Sequence, residues 1–159
     1  MNEIQIFTDG SSLGNPGPGG YGIILKSGKH YKELYQGYRL TTNNRMELLA
    51  VIVALESIKK ENSNIQIFTD SKYVVDAINK NWLQNWQKKN FKGKKNVDLW
   101  KRFLLISPKQ NVKFNWVKGH AGHEYNEKCD VLAVKAANSK NLLVDEEYEN
   151  EIEKNKGLF

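Results

Sequence analysis

The sequence predicts an α/β domain on a mixed sheet, from two observations. The hexapeptide Ile4-Gln-Ile-Phe-Thr-Asp9 recurs as Ile65-Gln-Ile-Phe-Thr-Asp70, with a helix-length apolar stretch between the copies. Two strands joined by a crossover helix are most simply parallel neighbours. Two more strand-like runs, residues 21–26 and 31–40, follow the first copy before any helical pattern begins. They make the first three strands an antiparallel meander.

The elements follow in order. The first strand stops at Asp9, and the stretch Gly10–Gly20 carries five glycines and two prolines. That composition excludes helix and reads as a shaped loop that a large partner can approach closely, with a hairpin connection as the alternative. No Gly-Lys-Ser/Thr follows, so it is not a phosphate-cradling P-loop. Thr41-Thr-Asn-Asn44 offers N-caps for a helix from Arg45 to about Lys60, apolar nearly all round. Glu47 falls in its first turn among core residues, where it either answers the helix dipole or has a metal or hydrogen-bond partner. After the second hexapeptide come a short helix over 71–80, an aromatic and basic stretch from Trp82 to Lys95, and a helix over 96–106 ended by Ser107-Pro108. A strand over 112–117, a loop Gly119-His-Ala-Gly122 and a last core helix over 124–137 complete the domain. Asp130 lies on or beside the inward stripe of that helix. His120 sits between glycines, a setting that suits proton transfer near neutral pH.

The 159 residues fit one domain, read here as residues 1–140, followed by an acidic tail over 141–159, weakly ordered or a frayed helix. The net charge of +6 is uneven. Residues 145–159 hold six acids and two lysines, leaving 22 basic against 12 acidic residues, +10, in the body. Such a body suits a polyanion such as nucleic acid, or serves solubility alone. Lysines interleaved with Trp82, Trp86 and Phe91 read as a phosphate-contacting face, although the tryptophans fit a core equally well. One cysteine excludes an internal disulfide and fits a reducing compartment. No apolar run would span a membrane and no signal peptide is visible, so a cytoplasmic location is expected.

Asp9 and Asp70 therefore end neighbouring strands at the carboxyl edge of the sheet, where open α/β sheets bind ligands. Glu47 and Asp130 are acids set in apolar helices. Oxygen ligands suit Mg²⁺ or Mn²⁺, and four acids around one site describe a two-metal phosphoryl-transfer centre.

Five motifs occur in order. They are Phe-Thr-Asp-Gly-Ser-x-Leu-Gly-Asn-Pro-Gly-Pro-Gly-Gly-Tyr-Gly, Thr-Thr-Asn-Asn-Arg-Met-Glu-Leu, Thr-Asp-Ser-x-Tyr-Val, Asn-Val-Asp-Leu-Trp, and Trp-Val-Lys-Gly-His-Ala-Gly-His with Asn-Glu-x-Cys-Asp. Together, over residues 3–138, they closely resemble bacterial type-1 ribonuclease H. The resemblance implies a three-layer fold with a five-stranded mixed sheet flanked by helices. It implies an endoribonuclease that cleaves the RNA strand of RNA–DNA hybrids by two-metal-ion catalysis, leaving 5′-phosphate and 3′-hydroxyl ends. It implies Mg²⁺, with Mn²⁺ as a substitute and two ions when substrate is bound, and a monomer with an RNA–DNA hybrid as partner. Asp9, Glu47, Asp70 and Asp130 match the metal-binding acids and His120 the catalytic histidine. Gly10, Ser12, Asn15, Asn43 and Asn44 match contacts to the hybrid, and Thr42 and Asn96 match a pocket for a phosphate of the DNA strand. Trp82, Lys88 and Lys89 fall in the basic protrusion, which is short here. Lys72 stands where many relatives have glutamine. A non-catalytic nucleic-acid-binding module or a recombinase-like nuclease on the same fold is the alternative.

Overall fold

The computed structural model describes residues 3–119 and 123–157. β1 (Ile4–Ser12), β2 (Gly17–Ser27) and β3 (His30–Thr41) form the antiparallel meander, and α1 (Asn43–Glu56) crosses over to β4 (Asn64–Thr69). Then come α2 (Lys72–Asn79), α3 (Trp82–Lys88), α4 (Val97–Ile106), a 3₁₀ turn, β5 (Asn111–Trp116), α5 (Glu124–Ala137), β6 (Leu142–Leu143) and α6 (Glu146–Lys156). The strand order is β5-β4-β1-β2-β3-β6, with β2 antiparallel to its neighbours and the other pairs parallel. The duplicated hexapeptides pair residue for residue, Ile4 with Ile65 through Phe7 with Phe68.

Alternation along the strands feeds two cores. Ile6, Ile23 and Ile67 face α1, whose residues Met46 to Ile52 are all buried, and behind it lies Trp100 of α4. Phe7 and Ile24 face the other way, onto Cys129 of α5. The result is three layers, with the helices α1 to α4 on one face and α5 on the other.

Among the described residues the sheet has six strands where five were expected. The sixth, Leu142-Leu143, pairs with Gly37 and Tyr38 of β3 and is too short to show a periodicity. Gly37 makes room for it, because a Cβ there would overlap the backbone of Ala136 and press on Leu142.

The glycine-rich stretch is a hairpin and not a long loop. β1 and β2 stay paired from Gly10 with Tyr21 to Ser12 with Gly19, and only Leu13–Pro16 turn. Helix α1 ends at Glu56, short of Lys60, where the Ser57 hydroxyl donates to Ala54 O at 2.7 Å. The acidic segment forms β6 and α6, although α6 buries no residue of its own. Two of its acids have arginine partners, Asp145 with Arg45 and Glu149 with Arg39, which composition could not reveal. No helix among the described residues is long and apolar enough to cross a membrane.

Candidate active site

The registered pairing of β1 with β4 carries two positions on from Phe7–Phe68 to Asp9 and Asp70, at the carboxyl edge of adjacent parallel strands. The third acid arrives from α1. Its N-cap is Thr42, whose hydroxyl accepts from Arg45 N at 3.2 Å. The helix thus begins at Asn43, two residues earlier than expected, and no acid lies in its first turn. Glu47 is therefore not there to answer the helix dipole. Its Oε1 accepts from Gly10 N at 2.9 Å. Only glycine permits that approach, because a Cβ on residue 10 would overlap the backbone of Met46 and Glu47.

The carboxylates of Asp9, Glu47 and Asp70 bring ligand oxygens within 4.8 Å of one another. Asp130 of α5 faces the same cavity, about 430 Å³, together with Asn43, Asn44 and Lys72. Asp9 and Glu47 are buried. Burial first, then Glu47 and Asp70, and a hydrogen bond to Asp130, hold the Asp9 carboxyl far above the usual carboxylate range. Burial and the charge of Asp70 likewise raise Glu47, against the lowering effect of Asp9 and the Gly10 amide. Glu47 Oε2 is buried with no hydrogen-bond partner among the described residues. Clustered acids with an orphaned buried oxygen suit a hard divalent cation, which would satisfy that oxygen and relieve the mutual repulsion.

Comparison with known proteins agrees with this geometry. The RNase H family matches residues 1–138. The chain belongs to the RNase H family. It is 53% identical over 150 residues to the ribonuclease H of Desulforamulus reducens, covering 91% of this chain and 94% of that protein. With the ribonuclease H of Pseudoalteromonas atlantica it shares 53% identity over 154 residues, 94% of this chain and 99% of that one. Among solved structures it is similar to LC9-RNase H1, described as a type 1 RNase H with the type 2 active-site motif. The TM-score is 0.79 at 32% identity, covering 94% of this chain and 80% of the other.

The other residues that the RNase H motifs single out fall into three places. Lys72 sits at the mouth of the acid cavity with its Nζ 4.7 Å from the centre of the Trp116 ring, and Trp116 Nε1 donates to Asp70 O at 3.2 Å. Asn15, Thr42, Asn44 and Asn96 line a second cavity, about 380 Å³. Asn15 Oδ1 accepts from Asn43 N at 3.1 Å, which ties the hairpin turn to the start of α1. Gly10 lines the acid cavity together with Ser11, whereas Ser12, also on β1, lines neither cavity. Trp82, Lys88 and Lys89 lie apart on α3 and its end, all exposed. The two tryptophans of that stretch divide, since Trp82 is exposed beside Lys80 while Trp86 packs edge-on against Trp100. His120 lies outside the described residues.

Sequence reading missed Tyr73 and Asn126. The Tyr73 hydroxyl accepts from Trp100 Nε1 at 2.8 Å and from Asn96 Nδ2 at 3.0 Å, so α2 holds Asn96 in place. Asn126, one turn before Asp130, donates to Phe68 O at 2.9 Å behind the strand ends. The Asn-Glu-x-Cys-Asp motif marked Asn126 without showing what it holds.

Proposed function

We propose that this chain is an endoribonuclease that hydrolyses the RNA strand of RNA–DNA hybrids and leaves 5′-phosphate and 3′-hydroxyl ends. The observation that carries the reading is the convergence of Asp9, Glu47 and Asp70, with Asp130 on the same cavity, in a member of the RNase H family. The four acids would hold divalent cations, Mg²⁺ with Mn²⁺ as a substitute and two with substrate bound. Those ions would supply activation of water and stabilisation of the departing 3′ oxygen.

The chain's own groups do the rest. Gly10 N–H fixes Glu47, and the Asp70 carbonyl is tied to Trp116, so the donors are set before substrate arrives. Lys72, propped on Trp116, directs a cation at the phosphate backbone beside the acids. Ser12, Asn15, Asn43 and Asn44 offer polar groups to the RNA sugars; where DNA replaces RNA, 2′-hydroxyl partners are lost, which gives discrimination. Thr42 and Asn96 receive a phosphate of the DNA strand, and the exposed Trp82, Lys88 and Lys89 grip the duplex beyond it. His120 would accept or relay a proton.

The test uses labelled RNA–DNA hybrid, double-stranded DNA and double-stranded RNA, each with and without Mg²⁺. Cleavage confined to the RNA strand of the hybrid, and only with the metal, is expected. Equal cleavage of double-stranded DNA, or an intact hybrid, would overturn the reading.

A further inference from the structure

The acidic helix α6 is pinned at three points. Asp145 takes the Arg45 guanidinium and the Thr41 hydroxyl, Glu149 takes Arg39 at 2.8 and 2.9 Å, and the Tyr148 ring lies 5.6 Å from the Arg45 guanidinium. These anchors set the turn of the helix and so decide which of its side chains border the neighbouring cavities. Glu151 lines the cavity of about 380 Å³ with Asn15, Thr42 and Lys95. It also lines an adjoining cavity, about 360 Å³, with Lys94 and Asp98. Asn96 and Glu151 are the two residues common to both. A carboxylate on α6 thus shares with Asn96 the lining of the pocket proposed above as the seat of a DNA-strand phosphate.

We propose that Glu151 sets the affinity and salt response of hybrid binding by opposing the DNA-strand phosphate at the Thr42–Asn96 pocket. This inference rests on the functional reading above. Thr42, Asn96 and Lys95 can all donate to a phosphate oxygen, whereas an ionised carboxylate only accepts. A phosphate entering the pocket meets donors on the α1 and α4 side and a like charge on the α6 side. Glu151 is exposed, so the repulsion is screened, amounts to a few-fold and fades as salt rises. The tail thereby tempers an otherwise strongly basic body, weakening non-productive retention on nucleic acid without touching the acid site.

The variants Glu151→Gln and Glu153→Gln make the same charge change, but Glu153 lines neither cavity. KM and kcat are measured on an RNA–DNA hybrid with Mg²⁺, and Kd in metal-free buffer, each at low and high salt. Glu151→Gln is expected to lower KM and Kd about two- to five-fold at low salt with kcat unmoved, and the gain should shrink at high salt. Glu153→Gln should leave both constants near the unaltered protein's. An equal fall in both variants, or no fall with Glu151→Gln, overturns the proposal. If the unaltered protein leaves the hybrid uncut, the functional reading falls instead. The metal-free Kd comparison then still decides the role of Glu151, and an unchanged Kd overturns it.

Discussion

Arg45 and Asp145, 100 residues apart, form a two-pronged buried ion pair, Nε to Oδ2 at 2.8 Å and Nη2 to Oδ1 at 2.9 Å. The other edge of the guanidinium is held by Asp98 at 2.7 and 2.9 Å. The pair joins the segment before α6 to the helix that carries Glu47. Asp145→Asn would leave Arg45, 2% exposed, with half of its charge compensation. Breaking a buried pair is far more harmful than its net contribution suggests, about 3–5 kcal/mol. A loss of about 2–4 kcal/mol is expected here because Asp98 stays in place. Urea denaturation checks it, and an unshifted midpoint would show that α6 is docked by other contacts.

Acid should act on the same network. Burial works against ionised Asp98, but the hydrogen bonds and charge of Arg45 outweigh it and hold that carboxyl below its usual range. A carboxyl lowered in the folded state contributes stability above the unfolded value, near 4, and loses it as pH falls through the lower folded value. Thermal unfolding should show this acid limb, flattened in Asp98→Asn. An unchanged limb in that variant would place the acid sensitivity elsewhere.

The acid site has the opposite sign. Asp9 and Glu47 titrate above the carboxylate range, so the stability they contribute in protonated form is present below about pH 4 and lost as pH rises through their folded values. The metal-free protein should therefore weaken as pH climbs towards neutrality. Adding Mg²⁺ should raise Tm more at about pH 8 than at about pH 5, since the ion binds the ionised form. A Mg²⁺ effect independent of pH would exclude the buried acids as the ligands.

Much of this was legible before any coordinates. The repeated hexapeptide announced the parallel pair because a helix-length crossover separates its two copies, and the placing of Asp9 and Asp70 at one edge followed from it. What stayed hidden depends on long-range partners. Gly10 to Gly20 looked like a loop because composition cannot tell a glycine that bends the chain from one that admits a helix backbone. The docking of α6 was invisible because Asp145 and Glu149 look like any tail acids until Arg45 and Arg39 are found beside them. The two-residue β6 is too short for any pattern.

Asp9→Asn separates chemistry from stability. The variant removes a donor from the three-carboxylate cluster, and Mg²⁺-dependent cleavage of the hybrid should be abolished, as in Asp70→Asn. It also removes a buried group that burial and three neighbouring acids disfavour as an anion. The metal-free fold should gain stability on the order of 1 kcal/mol near neutral pH. Circular dichroism melts and a gel assay read the two effects. Unchanged turnover would refute the metal role, and a lower metal-free Tm would show that Asp9 holds the fold together.

The basic protrusion should act on binding and not on chemistry. Lys88, Lys89, Lys92 and Lys95 are exposed on or after α3, and Trp82 stands at the start of that helix with its ring 5.3 Å from Lys80 Nζ. If each lysine meets a phosphate, converting all four to alanine should weaken hybrid binding and lower the slope of log Kd against log salt by about 3 to 4. Weaker binding with the slope intact would mean lost packing and not lost phosphate contacts. An unaltered slope and affinity would exclude these lysines, and leave Lys72 and the Thr42–Asn96 pocket to carry the duplex.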